Sequence, residues 1–284
     1  MDKRLLVLLG VLGVSFSSIF VKYADAPSAV LVIYRNGFAA VMLAFPVAIK
    51  YRDEIRSISI KEVSICFLSG IFLALHFFFF FESIKFTSVA SSTALVNTEV
   101  FFVAVMSFLF YGDKVKKKAA IGILITFAGS LIIALGDGGE GHNALYGDIM
   151  ALLGAFAMSA YTMIGRRQRK NTSTMVYTFF VYLAASLTMC LYCIPSGIAI
   201  TGHGSLNYAM ALCMTVFCTF MGHSIFNYCL KYVNPVFIST AKLGEPLFAT
   251  ILALLIFREI PGAFQIAGAM LVVCGLYIYG RFEK

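Results

Sequence analysis

Residues 234–257 read N-P-V-F-I-S-T-A-K-L-G-E-P-L-F-A-T-I-L-A-L-L-I-F. The stretch is long enough to cross a bilayer, which takes about 20 residues as a helix. Its first half nevertheless carries Lys242, Gly244, Glu245 and Pro246, where a plain anchor has only apolar residues. A charge at the centre of a span costs about 2.5–3.5 kcal/mol on insertion scales, so intramembrane charges face a protein interior or water. The Gly and Pro beside them loosen the helix, and irregular backbone at membrane depth is tolerated only against protein or a water-filled cavity. The stretch therefore predicts one wall of a polar pathway.

The rest of the chain has the composition that such a wall needs around it. Of 284 residues, 60% are hydrophobic and 13% charged, with a mean hydropathy of +0.89, which excludes a water-soluble globular domain. The formal net charge is +8, but the basic residues fall in short segments between apolar runs, which is a topology signal. No nucleic-acid partner is expected from it. All seven cysteines lie within apolar runs, and their odd number argues against a disulfide framework. Cys190 and Cys193 form a C-x-x-C without a second Cys or His pair, so no metal site is expected. The first apolar run, Leu5 to Val21, has spanning length and no cleavage motif, which reads as a span rather than a removable signal.

Ten apolar runs of spanning length can be placed, at 4–23, 28–49, 62–84, 88–111, 118–136, 145–165, 174–195, 207–230, 235–257 and 261–280. The connections are too short for a soluble domain. With the N-terminus in the cytoplasm, 17 of the 22 Lys and Arg residues fall in the inside segments and three outside. A multi-pass protein of the plasma (cytoplasmic) membrane with both termini cytoplasmic is expected.

Sliding the chain by 146 residues pairs Phe80 with Phe226, Lys85 with Lys231, Glu99 with Glu245, Gly122 with Gly268 and Gly129 with Gly275. Asp113 falls on Glu259, and Gly13 and Ser18 match Gly154 and Ser159 at an offset of 141. Two repeats follow, residues 1–140 and 141–284, and five spans in each put the halves in opposite orientations. The expected fold is all-α, ten transmembrane helices in two inverted five-helix repeats. Inverted repeats are the recurrent plan of secondary transporters, which bind substrate near the midplane where the halves meet.

The residues 81–95, F-E-S-I-K-F-T-S-V-A-S-S-T-A-L, their echo at 226–240, F-N-Y-C-L-K-Y-V-N-P-V-F-I-S-T, and G-E-P at 244–246 resemble the drug/metabolite transporter superfamily in its EamA-type branch. Asp113 and Glu259, closing spans four and nine, fit the same pattern. The resemblance covers nearly the whole chain and implies transport, with amino acids and related metabolites among the substrates. One departure is Val100 after Glu99, where the family usually has proline, so the first repeat is expected to be less kinked than the second.

Lys242 and Glu245, three apart on one helical face, are expected to neutralise each other in part. They read either as a closed structural pair or as a zwitterion site, Lys242 taking a carboxylate and Glu245 an amine. Glu99 and Glu245 are also the acidic groups on which proton coupling would run, or a symmetric pair of structural acceptors. Arg35, within I-Y-R-N-G-F, must find an anion, carbonyls or water, and either binds a substrate anion or pairs with Glu99. His76 and His223 occupy nearly corresponding places in spans three and eight, as proton carriers or as neutral interhelical partners. Asn97 and Asn227 orient substrate or bridge helices. The run Phe77 to Phe81 covers every face of a helix, and the lack of Trp weakens a quaternary-ammonium cage.

Glycines seven apart in spans five and ten, Gly122 with Gly129 and Gly268 with Gly275, read as packing within the bundle or as the seam of a homodimer. The leading expectation is a secondary transporter of a small polar or zwitterionic metabolite, with membrane lipids around it, no enzyme activity and no cofactor, since no P-loop motif is present. A lipid-modifying membrane enzyme would need a catalytic cluster near an interface; Asp137, Glu140, His142 and Asp148 read as an ordinary solvated turn. A channel would need a repeated filter loop, and none is seen.

Overall fold

A computed structural model describes residues 2–87, 89–136, 143–257, 260 and 262–283. Among them the architecture is helical and without strands. The first half contains α1 (Lys3–Val14), α2 (Ser17–Tyr23), α3 (Ser28–Lys50), α4 (Arg52–Ser57), α5 (Ile60–Phe86), α6 (Val89–Val96), α7 (Glu99–Tyr111) and α8 (Lys117–Gly136). The second contains α9 (Ala144–Gln168), α10 (Thr174–Cys193), α11 (Gly204–Cys213), a π-helical segment (Met214–Ser224), α12 (Ile225–Cys229), α13 (Pro235–Lys242), α14 (Glu245–Phe257) and α15 (Ala263–Phe282). Eight stretches among the described residues are long and apolar enough to cross a membrane. The expected fifth and ninth segments are helical as well, as α8 and as the pair α13 and α14.

Local chemistry sets the boundaries. Ser59 and Glu62 form a capping box that starts α5, Ser173 caps α10, and Asn234 accepts from the Val236 N–H at 2.8 Å, with Pro235 at the first helical position. Gly112 ends α7 at φ 70°, in the left-handed region that glycine enters without strain. The first span is broken after Val14, where the Ser15 hydroxyl turns back onto Val11 O. The fourth span is broken at Asn97 and Thr98, as the ninth is at Leu243 and Gly244. The first repeat is thus interrupted at the same place as the second, against expectation. No proline is needed, because Thr98 Oγ1 donates to Leu95 O at 2.6 Å and competes with the helix's own bonds.

The packing is two-fold in pattern. α3 packs on α10 and α8 on α15, pairs that the repeat relation maps onto themselves, while α5 on α9 maps onto the π segment on α1. At the α8–α15 crossing Gly122 meets Gly275 and Gly129 meets Gly268, so these helices run antiparallel and close enough for backbone contact. All four glycines named as a candidate dimer seam are thus used inside the chain.

Both ends of the chain come together, with Arg4 pairing to Glu283 at 3.0 Å. Around them Lys3 donates to the Tyr228 hydroxyl at 2.6 Å, and Arg166 pairs with Asp113. Arg169, one of the basic residues counted above as a topology signal, is buried and donates to Asn227 O at 3.0 Å, Thr174 Oγ1 at 2.6 Å and Thr172 O. The opposite end is closed by Asn207, whose Oδ1 accepts from the Asp25 and Ala26 amides. Asp137, Glu140, His142 and Glu259 lie outside the described residues.

Candidate functional site

Between the two ends the broken spans face one another across a cavity. Arg35, His76, Asn97, Glu99, His223, Lys242 and Glu245 all line it, so most of the polar residues singled out in the sequence share one space. Asn227 stands behind it, its side-chain amide nitrogen donating to the Tyr161 hydroxyl at 2.6 Å and its backbone carbonyl accepting from Arg169, which makes it a helix bridge.

The breaks explain where the charges sit. Glu99 opens α7 and Glu245 opens α14, at helix N-termini whose dipole favours an anion. Lys242 closes α13, at a C-terminus that favours a cation. Its repeat mate at the end of α6 is Val96.

The pairing of Lys242 differs from the sequence expectation. Lys242 Nζ lies 3.0 Å from Glu99 Oε1, across the repeat boundary, and not against Glu245. The one-face rule assumes a continuous helix, and α13 ends at Lys242 itself. Arg35 does not pair with Glu99 either. Its Nε donates to Thr219 Oγ1 at 2.8 Å and its Nη1 to Ser17 Oγ at 3.3 Å, while the guanidinium carbon stands 3.8 Å from the centre of the Phe77 ring. These contacts fix the fork and leave Nη2 buried without a partner.

Two charges therefore stay open once Lys242 and Glu99 have met. Arg35 has an unused donor, and Glu245, in the same cavity, forms no ion pair among the described residues. Lys242, Glu99 and Arg35 are the charged side chains near enough to act on Glu245. A buried guanidinium with an unused donor and a buried carboxylate without an ion pair suit a ligand that brings the opposite charge to each.

The histidines divide the labour differently. His76 Nδ1 donates to Gly154 O at 3.0 Å, a contact between spans three and six. His223 is packed edge-on against Phe77, and its Nδ1 has no partner. The Asn97 amide nitrogen is likewise buried and unpaired.

Ser17, Thr219 and Phe77 were not legible as site residues. Ser and Thr are common in membrane helices, and Phe77 lies in a five-phenylalanine run of which Phe77, Phe80 and Phe81 turn inward. The π-helical turn bears on this. Thr215 and Thr219 both reach Arg35, the first donating to its backbone carbonyl at 2.8 Å. The corresponding stretch of α5 is α-helical throughout. π segments are rare and concentrate at functional sites.

Known proteins give this geometry its context. The family model described as the EamA-like transporter family matches residues 4–135 and 145–281. An Archaeoglobus fulgidus protein named an uncharacterized transporter is 24% identical over 76% of this chain and 75% of its own. Bacillus subtilis YxxF, also named an uncharacterized transporter, is 24% identical over 93% and 85%. The Pseudomonas aeruginosa pseudopaline exporter CntI is 20% identical over 99% and 96%. A solved crystal structure superposes with a TM-score of 0.80 at 14% identity, covering 100% of this chain and 98% of that one, which shows a shared fold. The family model thus matches twice along the sequence, and the chain belongs to the EamA-like transporter family.

Proposed function

We propose that this transporter carries a small zwitterionic, amino-acid-like metabolite across the cytoplasmic membrane by alternating access, with both termini in the cytoplasm. Arg35 takes the substrate carboxylate through the free edge of its fork, and Glu245 takes the amine. The observation that carries the reading is the charge left over in the cavity: with Lys242 held by Glu99, Arg35 keeps an unused donor and Glu245 has no ion pair among the described residues. A guanidinium stacked on Phe77 and anchored by Thr219 is preorganised for a planar carboxylate. His223 and Asn97 supply spare polar atoms beside it.

Export is the direction that fits a relative named as an exporter. The pseudo-two-fold packing supports alternating access, because each repeat has a counterpart whose conformation it can take.

Comparison of metabolite pools tests the reading, in cells making the intact protein and cells making Arg35→Gln. An amino acid that falls inside and rises outside only with the intact protein is the expected result. Movement of a solute lacking either charge, or unchanged export by Arg35→Gln, overturns the assignment.

A further inference from the structure

Among the described residues that line the cavity, three carry a buried polar atom without a hydrogen-bond partner: Arg35 at Nη2, Asn97 at Nδ2 and His223 at Nδ1. A zwitterion engages Arg35 through its carboxylate and Glu245 through its amine, and leaves Asn97 and His223 unused. Both are almost closed to solvent, at 2% and 4% exposure. A buried amide or imidazole left unpaired is costly, so each needs a polar group from the cavity. The fold itself does not require either residue. At the 146-residue offset Asn97 falls on Leu243 and His223 on Phe77, and both of these apolar mates are buried.

Neighbouring contacts tie both residues to the charged site. The His223 ring meets Phe77 edge-on with centroids 5.0 Å apart, and the same Phe77 ring carries the Arg35 guanidinium 3.8 Å from its centre. The His223 ring also lies 6.3 Å from that of His76, which is anchored on Gly154 O. A Cβ on Gly154 would meet Val96 Cγ2 at 3.5 Å, and Asn97 follows Val96 in the break before Glu99. Four further lining residues, Val14, Phe80, Val96 and Met158, are apolar and leave the polar contacts to these two.

Charge limits what the third group can be. Arg35 and Lys242 balance Glu99 and Glu245, so a ligand without net charge leaves the site neutral, whereas a side-chain acid or base would bury a charge without a counterion. An amide nitrogen donates, and a neutral imidazole offers one donor and one acceptor, so a group that both accepts and donates can satisfy the two at once. We propose that Asn97 and His223 form a third subsite, which binds the substrate side chain through a hydroxyl or a carboxamide and makes the substrate class the neutral amino acids with polar side chains. This rests on the zwitterion reading and narrows it. An aliphatic side chain of the same shape displaces water from these groups without replacing its hydrogen bonds, and binds more weakly.

The test uses the full chain, purified and placed in liposomes loaded with a uniformly ¹³C-labelled mixture of the standard amino acids, with exit into the same mixture unlabelled followed by mass spectrometry. Threonine and valine share a shape, as asparagine and leucine nearly do, so their competition within one mixture isolates the polar group. Intact protein is expected to move threonine over valine, or asparagine over leucine, by about tenfold or more. Asn97→Leu and His223→Phe each install the residue found at the equivalent place in the other repeat, and are expected to bring the ratio close to one by slowing the polar member. The ratio in intact protein stands without either variant. Movement of amino acids with no polar preference in either pair, or an unchanged ratio in both folded variants, overturns the third subsite and leaves the zwitterion reading intact. If intact protein moves no amino acid from the mixture, the zwitterion reading falls and the subsite with it.

Discussion

Lys242 Nζ and Glu99 Oε1 meet at 3.0 Å across the boundary between the repeats, joining the end of α13 to the start of α7. The pair is nearly inaccessible to solvent, so its two halves depend on each other. Breaking a buried ion pair by removing one partner costs about 3–5 kcal/mol, whereas replacing both by apolar or neutral groups is close to neutral. Thermal unfolding in detergent is expected to show a large loss for Lys242→Met and for Glu99→Leu singly, and a smaller one for the two combined. Additive losses would mean that the pair is not a unit.

Arg35 sits on Phe77 with Thr219 and Ser17 on its donors. Lysine at this position keeps the charge but has neither a fork nor a face to stack. Arg35→Lys is expected to lower substrate affinity by about tenfold or more, while Thr219→Val, which frees a second donor without removing the charge, weakens it less. Binding measured by calorimetry on purified protein checks the order.

At the α8–α15 crossing, a Cβ on Gly129 would stand 2.7 Å from both Gly268 O and Val272 N. Backbone cannot withdraw as a side chain can, so Gly129→Val is expected to cost at least about 1–3 kcal/mol or to prevent folding. Gly280, with nothing within 4 Å of its added Cβ, is the control, and Gly280→Ala is expected to leave thermal stability unchanged.

Arg169 ties the end of α9 and the start of α10 to the carbonyl of Asn227. Each hydrogen bond from a charged donor contributes about 1.5–3 kcal/mol. Arg169→Met is expected to lower the unfolding temperature clearly, and the exposed neighbour variant Lys170→Met to leave it in place.

A cysteine introduced at Asn143 is expected to react with an impermeant thiol reagent added to intact cells, and one at Lys117 to be protected. The opposite pattern would invert the proposed orientation.

Most of the helical plan could be read directly. Apolar runs and the 146-residue register depend on short-range chemistry and on composition, and the runs placed the spans to within a few residues. The break at Leu243 and Gly244 was equally visible, because charge, Gly and Pro coincide there. The break at Asn97 and Thr98 was underestimated, since proline was taken as its cause when a threonine hydroxyl suffices. The partners of the charges were not legible at all. Lys242 and Glu245 are close in sequence and Lys242 and Glu99 are not, and only the folding of one repeat onto the other brings the distant pair together. Thr219 and Ser17 carried no signal, because a hydroxyl becomes a site residue only through the guanidinium it meets.

The glycine crossing of α8 and α15 is made of residues that are one another's mates, Gly122 against Gly275 and Gly129 against Gly268. A contact of that kind is self-complementary, the geometry by which two identical subunits assemble about a dyad. The seam would therefore serve equally well between two separate five-helix chains inserted in opposite directions. Such an assembly, built from one gene, has to carry Val96 and Lys242 alike: two ammonium groups for its two carboxylates, or none. Carrying both copies in a single polypeptide permits an odd number, and the lone lysine beside two glutamates in the cavity is such a case.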